Sequence, residues 1–321
     1  MTQEAHPLQF GPCFDVAVQS CVGADPHTLH ENQDNFLLID TTGWAHFQHS
    51  QRRQWQRIDN WIPGCVRLAV LDGMGGHGRG REAAEAVVAG LLTIPPCDSL
   101  AELARHLDSL HASLQRQFDG DTTSKRPGTT LTLLELVPGK APLLYHVGDS
   151  RLYQVKDGVA RPLTIDHVPA TAYAMAGLFS EAEWWQQVHG EHRSQLSQAF
   201  ILGNAFANPS ELSDPLFALT PHNLPPFLKH LHDRRAIELD PGAAYVLATD
   251  GFWACANPYD LIDRWPALLG RQCDAAGMTG ALFEEMLTRP PPNFHIDNLT
   301  AIVLRRLDPA QSASPADKSA A

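Results

Sequence analysis

Five aspartates share one local setting, since each lies at the end of an apolar, strand-like run or in the turn beside it. An aspartate at a strand end directs a short carboxylate, which when ionised only accepts hydrogen bonds, into the cleft beyond the sheet. Where glycine follows, the missing side chain lets a backbone carbonyl or a water approach closely. Hard divalent cations favour such oxygen ligands. The five residues are Asp34, Asp72, Asp149, Asp250 and Asp297.

Clustered carboxylates repel one another, so bringing them together requires protonation or cations, and Mg²⁺ and Mn²⁺ suit oxygen ligands. Two such ions side by side can clamp a phosphoryl group for in-line attack by water. Taken singly, an Asp-Gly pair is more often a turn than a ligand. The clustering is therefore a hypothesis that the fold must satisfy.

Eight segments have the length, apolar character and Gly, Pro or Asp boundaries of β-strands, and two pairs of segments have helical spacing. Because strands and paired helices alternate in blocks, the order indicates an α+β layering rather than βαβ units. The predicted strands are 14–22, 35–40, 66–71, 129–136, 143–146, 151–156, 244–248 and 299–304; the helices are 80–92, 99–118, 258–269 and 279–288.

Two stretches read as insertions. Residues 41–64 hold Trp44, Trp55 and Trp61 without a clear period, and we expect a hairpin extension there. Residues 171–235 are rich in Pro, His and Asn, which predicts a surface excursion with short helices near 181–189 and 225–232. The tail, 308–321, is small and polar, and we expect it to be disordered.

The composition of the chain restricts the kinds of partner that it can bind. A formal net charge of -12 disfavours nucleic acid and anionic membranes. The six cysteines are widely spaced without a Cys-x-x-Cys pair, so we expect reduced, mostly buried thiols. The first ten residues have no basic segment followed by an apolar one, and no run of eighteen apolar residues occurs. We expect a cytoplasmic protein.

Seven blocks in order carry a family resemblance: NQDN, LAVLDGMGGHG, GTTLTLLEL, YHVGDSRLY, LTIDH, LATDGFW and DNLTAIVL. Together they resemble the bacterial form of the type 2C metal-dependent protein phosphatases (the PPM family), over roughly residues 14 to 306. The resemblance implies an αββα sandwich of two antiparallel sheets flanked by paired helices, as one phosphatase domain over residues 1–307. It also implies hydrolysis of phosphoserine and phosphothreonine in proteins by a metal-activated water, with substrates of a bacterial Ser/Thr kinase as partners.

The resemblance implies roles for the aspartates. Asp72 would bridge two Mn²⁺ or Mg²⁺ ions and Gly73 would offer its carbonyl to the second. Asp250 and Asp297 would complete the first ion's ligands. Asp34 would bind or orient water on the second ion, so that Asp72 and Asp34 are the candidate catalytic residues.

Other blocks would supply a third ion and supports. Asp149 would help to hold a weaker third ion, and Thr129 and Thr130 would support the site from behind. Residues 171–235 would correspond to the variable flap that shapes substrate access. Arg151, after Gly-Asp-Ser, is expected to make a structural ion pair rather than to grip substrate.

The sequence departs from the family pattern in three places. The Arg that grips the substrate phosphate just before the first block is missing, and His30, Arg79 and Arg81 are the candidate replacements. Met74 stands where eukaryotic relatives have His, which leaves proton transfer to water or His77. Ala254 replaces an Asp, which should weaken a third ion.

Three alternatives remain open. Residues 73–78 match G-x-G-x-x-G with Asp98 about twenty residues later, as in dinucleotide sites, although Asp72 would repel a pyrophosphate. The missing Arg permits a catalytically weak pseudophosphatase that acts as a binding or regulatory module. Paired histidines permit zinc, although none forms H-E-x-x-H; the pairs are His46/His49, His189/His192 and His230/His232.

Overall fold

The structure is a computed structural model that describes residues 6–23, 31–75, 79–119, 126–193, 195–206 and 215–308. The strands in chain order are β1 (Phe14–Cys21), β2 (Asn35–Ile39), β3 (Trp44–His49), β4 (Arg52–Arg57), β5 (Val66–Leu71), β6 (Gly73–Met74), β7 (Gly128–Thr129), β8 (Leu131–Leu136), β9 (Leu143–Val147), β10 (Arg151–Lys156), β11 (Val159–Pro162), β12 (Gln198–Ala199), β13 (Gly203–Asn204), β14 (Arg234–Ala236), β15 (Ala244–Ala248) and β16 (Leu299–Arg306). The helices are α1 (Arg79–Leu91), α2 (Leu100–Phe118), α3 (Pro169–Met175), α4 (Glu181–His189), α5 (Pro258–Ile262), α6 (Trp265–Leu269) and α7 (Ala275–Thr288).

Two large sheets form the centre of the fold, and their strand pairs are antiparallel. One has the order β14-β9-β8-β5-β2-β3-β4, and the other has the order β1-β16-β15-β10-β11. This arrangement excludes the dinucleotide site, since that motif requires a parallel βαβ unit. Residues 73–75 instead run from β5 into the short β6, which pairs with β7.

Alternation along the strands explains the layers. Phe36 and Leu38 in β2 face a core shared with Ile302 of the other sheet. Leu37 points to the opposite side, where it packs in one cluster with Val87 of α1. The sheets therefore pack face to face, with α1 and α2 outside the seven-stranded one. This confirms the predicted sandwich on that side.

The second outer layer covers the five-stranded sheet. Val246 and Val303 of that sheet share a cluster with Trp265 of α6 and Phe283 of α7. The predicted helix 258–269 is in fact two short helices, α5 and α6, with Pro266 in the first turn of α6. Proline lacks a backbone N–H and suits that first turn, which favours a new helix start there.

Side chains cap several helices. Ser99 accepts a hydrogen bond from the Glu102 backbone at the start of α2, at 3.3 Å. Asp274 does the same for Gly277 at the start of α7, at 2.7 Å. Each cap satisfies a backbone N–H that the helix itself leaves unpaired.

The first predicted insertion is a hairpin, as expected. Strands β3 and β4 extend the edge of the seven-stranded sheet through a turn at Ser50 and Gln51, whose φ values are 50° and 62°. His46 stacks on Trp55 across the hairpin with ring centroids 4.5 Å apart. Trp61 is buried and donates to the Cys65 carbonyl at 3.0 Å.

The second insertion has its own small core. It holds most of α3, then α4 over its predicted span, and a 3-10 helix at Pro226–Leu231 inside the predicted 225–232. Buried Trp184 packs with Ile165 and Leu228, and its indole donates to Thr171 Oγ1 at 3.1 Å. Trp184 therefore packs inside the second insertion and holds it to Thr171.

Other expectations have mixed outcomes. The predicted strand 129–136 is divided at Thr130 into β7 and β8. Three cysteines, Cys65, Cys97 and Cys255, are buried, but Cys13 and Cys273 are exposed. In the described part of the chain, every helix is too short or too polar to span a bilayer. Of the predicted disordered tail, residues 309–321 lie outside the described residues.

Candidate metal centre

The five aspartates lie beside strand ends from both sheets. Asp34 precedes β2 and Asp72 follows β5 in the seven-stranded sheet. Asp250 follows β15 and Asp297 lies two residues before β16 in the five-stranded sheet. Asp149 occupies the turn between β9 and β10, where the chain crosses from one sheet to the other. The packing of the sheets, rather than local sequence, determines which of these ends meet.

Three of the carboxylates converge closely. One oxygen from each of Asp72, Asp149 and Asp250 lies within 4.8 Å of the others. Asp34 and Asp297 lie outside that group, but their charges act on it. The pKa of Asp72 is raised mainly by burial and by Asp250, and the charges of Asp34 and Asp297 raise it further. The structure thus brings the predicted aspartates into one acidic cluster with three at its centre.

Asp34 is held from the opposite sheet. Its Oδ2 accepts a hydrogen bond from Thr249 Oγ1 at 2.8 Å, and its backbone N–H donates to Asn32 Oδ1 at 3.1 Å. Thr249 also accepts from the Thr300 backbone N–H at 3.1 Å, which ties β15 to β16. The side chain of Asp34 therefore depends on three strands for its position.

Thr130 lies behind Asp72, as expected. The Asp72 backbone N–H donates to Thr130 Oγ1, and the Thr130 backbone N–H donates to the Asp72 carbonyl, both at 2.9 Å. Ser150, next to Asp149, lies 2.6 Å from the same hydroxyl. Thr129 is buried, and its backbone exchanges two hydrogen bonds with the backbone of Phe200 in the second insertion. These bonds link the turns that carry Asp72 and Asp149.

Close backbone contacts require two of the motif glycines. A Cβ on Gly73 would lie 2.3 Å from the Gly80 carbonyl oxygen, at the start of α1. A Cβ on Gly251 would lie 2.1 Å from the Asn298 carbonyl oxygen. Because Gly251 follows Asp250 and Asn298 follows Asp297, this contact brings the two aspartates together.

Burial and mutual repulsion perturb the cluster. The pKa values of Asp34, Asp72 and Asp149 are raised well above the usual range, first by burial and then by neighbouring carboxylates. Burial, followed by the charge of Asp250, raises the pKa of Asp297 to about 6. Carboxylates that resist ionisation without a counter-charge form the donor set that a hard divalent cation would complete. The residues therefore fit Mn²⁺ or Mg²⁺.

Asp250 differs because it has a histidine partner. His192 Nε2 lies 3.2 Å from Asp250 Oδ2. Burial favours protonation of Asp250, but the hydrogen bond and charge of His192, together with contributions from Asp72 and Arg151, outweigh it and lower the pKa of Asp250. The His192 backbone N–H donates to the Cys255 carbonyl at 3.1 Å, so the second insertion is attached to the loop after Asp250.

The predicted cation candidates have other partners. Arg79 faces Glu82 at 3.7 Å and lies over the Phe118 ring, with 5.7 Å from its Cζ to the ring centroid. Arg81 lies 3.1 Å from Glu31 and 3.0 Å from Glu85. Neither guanidinium is placed as a phosphate ligand by these contacts. The remaining candidates, the phosphate ligand His30 and the proton donor His77, lie outside the described residues.

Arg151 makes the structural ion pair that was expected. Its guanidinium and the carboxylate of Asp166 are both buried and lie 2.7 Å apart. A further N–H donates to the Val188 carbonyl at 2.7 Å, and the guanidinium lies over Trp253 at 4.7 Å from the ring centroid. The charge of Arg151 is therefore neutralised inside the protein by Asp166.

The zinc alternative gains little support. Burial, followed by the charge of Arg53, lowers the pKa of His46 to about 4, and His49 faces Glu85 at 3.2 Å. A second possible metal group does occur at Cys97, Glu102 and His106. However, Cys97 Sγ donates to the Pro95 carbonyl and burial raises its pKa to about 11, which disfavours the thiolate that zinc needs.

Comparison with curated proteins finds phosphatases, whereas no protein-family model matches the sequence. The serine/threonine protein phosphatase PstP of Mycobacterium tuberculosis strain H37Rv is 35% identical over 112 residues, which are 34% of this chain and 22% of PstP. A putative protein phosphatase 2C-type of Streptococcus pyogenes serotype M6 is 34% identical over 126 residues, which are 37% of this chain and 51% of that protein. Over about a third of its length, the chain is thus similar to bacterial protein phosphatases, one of them named as 2C-type. The matches span about a fifth and about half of these relatives.

Solved type 2C structures share the fold over most of the chain. The S. agalactiae serine/threonine phosphatase has a TM-score of 0.63 at 18% identity, covering 92% of this chain and 100% of that one. The catalytic domain of PstP in complex with two manganese ions has a TM-score of 0.59 at 22% identity, covering 92% and 99%. The sandwich is thus the type 2C fold.

None of the seven sequence blocks contains His192, so the sequence does not identify it as the partner of the Asp250 carboxylate. It lies in the second insertion, in no quoted block, and its sequence neighbours give no signal for a contact with Asp250. Only the docking of α4 and the segment after it against the Asp250 loop reveals the contact.

Proposed function

We propose that this chain hydrolyses phosphoserine and phosphothreonine in proteins, with two divalent ions, Mn²⁺ or Mg²⁺, and a possible third. The observation that carries the proposal is the convergence of Asp72, Asp149 and Asp250 within 4.8 Å. Their perturbed pKa values and the type 2C kinship support the same conclusion. Such ions would supply an activated water and neutralise charge on the phosphoryl oxygens.

The proposed residue roles are those that the family resemblance implies. Asp72, Asp250, Asp297 and Asp34 are assigned to the two ions, together with the Gly73 carbonyl, and Asp149 is assigned to the third. Asp72 is central because its carboxylate interacts with those of Asp250, Asp34 and Asp297. Thr249 orients Asp34, and Thr130 holds the Asp72 backbone.

We propose phosphoproteins as the substrates and the cytoplasm as the location. The partners would be phosphoproteins made by a bacterial Ser/Thr kinase, in the cytoplasm, with neither nucleic acid nor membrane as a partner. Residues 1–307 would form one phosphatase domain, in which 41–64 extends a sheet and 171–235 would form the flap.

The second candidate is the pseudophosphatase, a binding or regulatory module with weak catalysis. The missing Arg before Asp34 favours it. The complete set of aspartates, held by the hydrogen bonds described above, favours catalysis, since a module without turnover has no need of such costly buried carboxylates.

The test is hydrolysis of p-nitrophenyl phosphate and of a phosphothreonine peptide with Mn²⁺, with Mg²⁺ and with chelator. We expect turnover that requires the metal and is lost in Asp250→Asn. Absence of turnover with either metal, in a protein that still binds Mn²⁺ by calorimetry, would favour the binding module.

A further inference from the structure

A cavity opens beside the acidic cluster, between the second insertion and the turn that carries Asp149. Its volume is about 140 Å³, and Asp149, His192 and Arg193 line one part of it. This is several times the roughly 30 Å³ that a water molecule occupies in the liquid. A phosphoryl group and part of the side chain that carries it can enter.

The lining of the cavity also includes apolar side chains. Val168, Tyr173 and Phe179 line it, and the rings of Tyr173 and Phe179 pack edge to face at 5.5 Å. An apolar wall lowers the local dielectric, which strengthens the attraction between a cation and an anion beside it.

Arg193 is an exposed residue in the lining of the cavity. The guanidinium of Arg193 donates a hydrogen bond to Gln187 Oε1 at 3.3 Å. Among the described residues, no carboxylate lies within 4.0 Å of its guanidinium. Arg151, which also lines the cavity, is by contrast neutralised by buried Asp166. The charge of Arg193 is thus available to an anion in the cavity.

We propose that Arg193 binds the phosphoryl group of the substrate, and that this flap residue replaces the phosphate-binding arginine missing from residues 28–31. The inference rests on the proposed function. A guanidinium can hold two phosphoryl oxygens at once through its planar fork. Its neighbour His192 contacts Asp250, so the backbone around Arg193 is held against the metal centre.

The test compares Arg193→Ala, Arg193→Lys and the control Arg105→Ala, which removes an exposed arginine of α2 that faces Glu102 at 4.0 Å. The readouts are KM and kcat for p-nitrophenyl phosphate and for a phosphothreonine peptide, and the Kd of inorganic phosphate for the Mn²⁺-loaded protein by calorimetry. For Arg193→Ala we expect KM and the phosphate Kd to rise about ten- to hundredfold, the range for losing a hydrogen bond to a charged group.

Arg193→Lys should be intermediate, the control should match the wild type, and the Kd of Mn²⁺ should stay unchanged in all three. An unchanged phosphate Kd in Arg193→Ala would overturn the inference. So would an effect confined to peptides with an acidic residue beside the phosphothreonine, which would assign Arg193 to a flanking side chain.

The phosphate titration separates this inference from the proposed function. A wild type that binds inorganic phosphate through Arg193 but hydrolyses neither ester would refute the activity and keep the binding site. A Mn²⁺-loaded wild type that binds no phosphate would refute the binding site whatever its turnover.

Discussion

His192 Nε2 lies 3.2 Å from Asp250 Oδ2, and this contact joins the second insertion to the metal centre. The partner lowers the pKa of a carboxylate whose burial would otherwise raise it. A segment that the sequence presents as a surface excursion therefore helps to keep one proposed metal ligand ionised.

Replacing His192 by alanine should weaken Mn²⁺ binding most at low pH. Without its partner, the pKa of Asp250 rises, so protons compete with the ion up to a higher pH. Calorimetric titrations of Mn²⁺ across a pH series measure the shift, with the exposed His230→Ala as control. Tighter Mn²⁺ binding at every pH would show that His192 instead competes with the ion.

Asp72→Asn should abolish metal-dependent turnover while the fold remains. We expect a loss of more than about 100-fold in kcat, since even residues behind a metal ligand cost 10- to 100-fold. The metal-free variant should melt no lower than the metal-free wild type, because the change removes a buried carboxylate among others. Circular dichroism melts in chelator check the second point, and full activity would contradict the assigned role.

Metal-free protein should lose stability as pH rises through about 6. Asp297 has a folded-state pKa raised to about 6, so its contribution is fully present below its usual 3.8 and is lost as pH climbs through the raised value. Asp34, Asp72 and Asp149 act in the same direction. Thermal melts in chelator should show Tm falling across this window, and saturating Mn²⁺ should reverse the fall.

The variant Asp297→Asn isolates one contribution to that effect. Its amide does not ionise, so the fall in Tm through about pH 6 should be shallower than in the wild type. An identical fall in both proteins would assign the effect to other groups.

Gly251→Ala should separate the segments that carry Asp250 and Asp297. The added Cβ would lie 2.1 Å from the Asn298 carbonyl oxygen, so the backbone must shift. We expect destabilisation of about 1–3 kcal/mol and weaker Mn²⁺ binding. Gly280→Ala is the matched control in α7, where nothing lies within 4 Å and alanine should stabilise by about 0.5–1 kcal/mol. Denaturant unfolding measures both, and equal stability of the two variants would contradict the close contact.

The layered fold could be predicted because its signals are local. Apolar alternation and boundary residues located each of the eight predicted strands, including 35–40, where Asn35–Ile39 forms β2. Tertiary contacts decided the exceptions, as at Thr130, whose exchange of hydrogen bonds with Asp72 interrupts the predicted strand 129–136. Similarly, a second helix, with Pro266 in its first turn, begins at Trp265 inside 258–269.

The sequence by itself determined which aspartates stand at strand ends, because strand boundaries and Asp-Gly or Asp-Asn pairs are written within a few residues. It did not determine which carboxylates meet. Asp34 and Thr249, which hydrogen bond, are 215 residues apart. Only the packing of the two sheets brings such residues together, and only the docking of the second insertion places His192 on Asp250 and Arg193 beside Asp149. Contacts between distant segments depend on how the whole chain packs, and that packing reflects many weak interactions along the chain. No single stretch of sequence therefore encodes them.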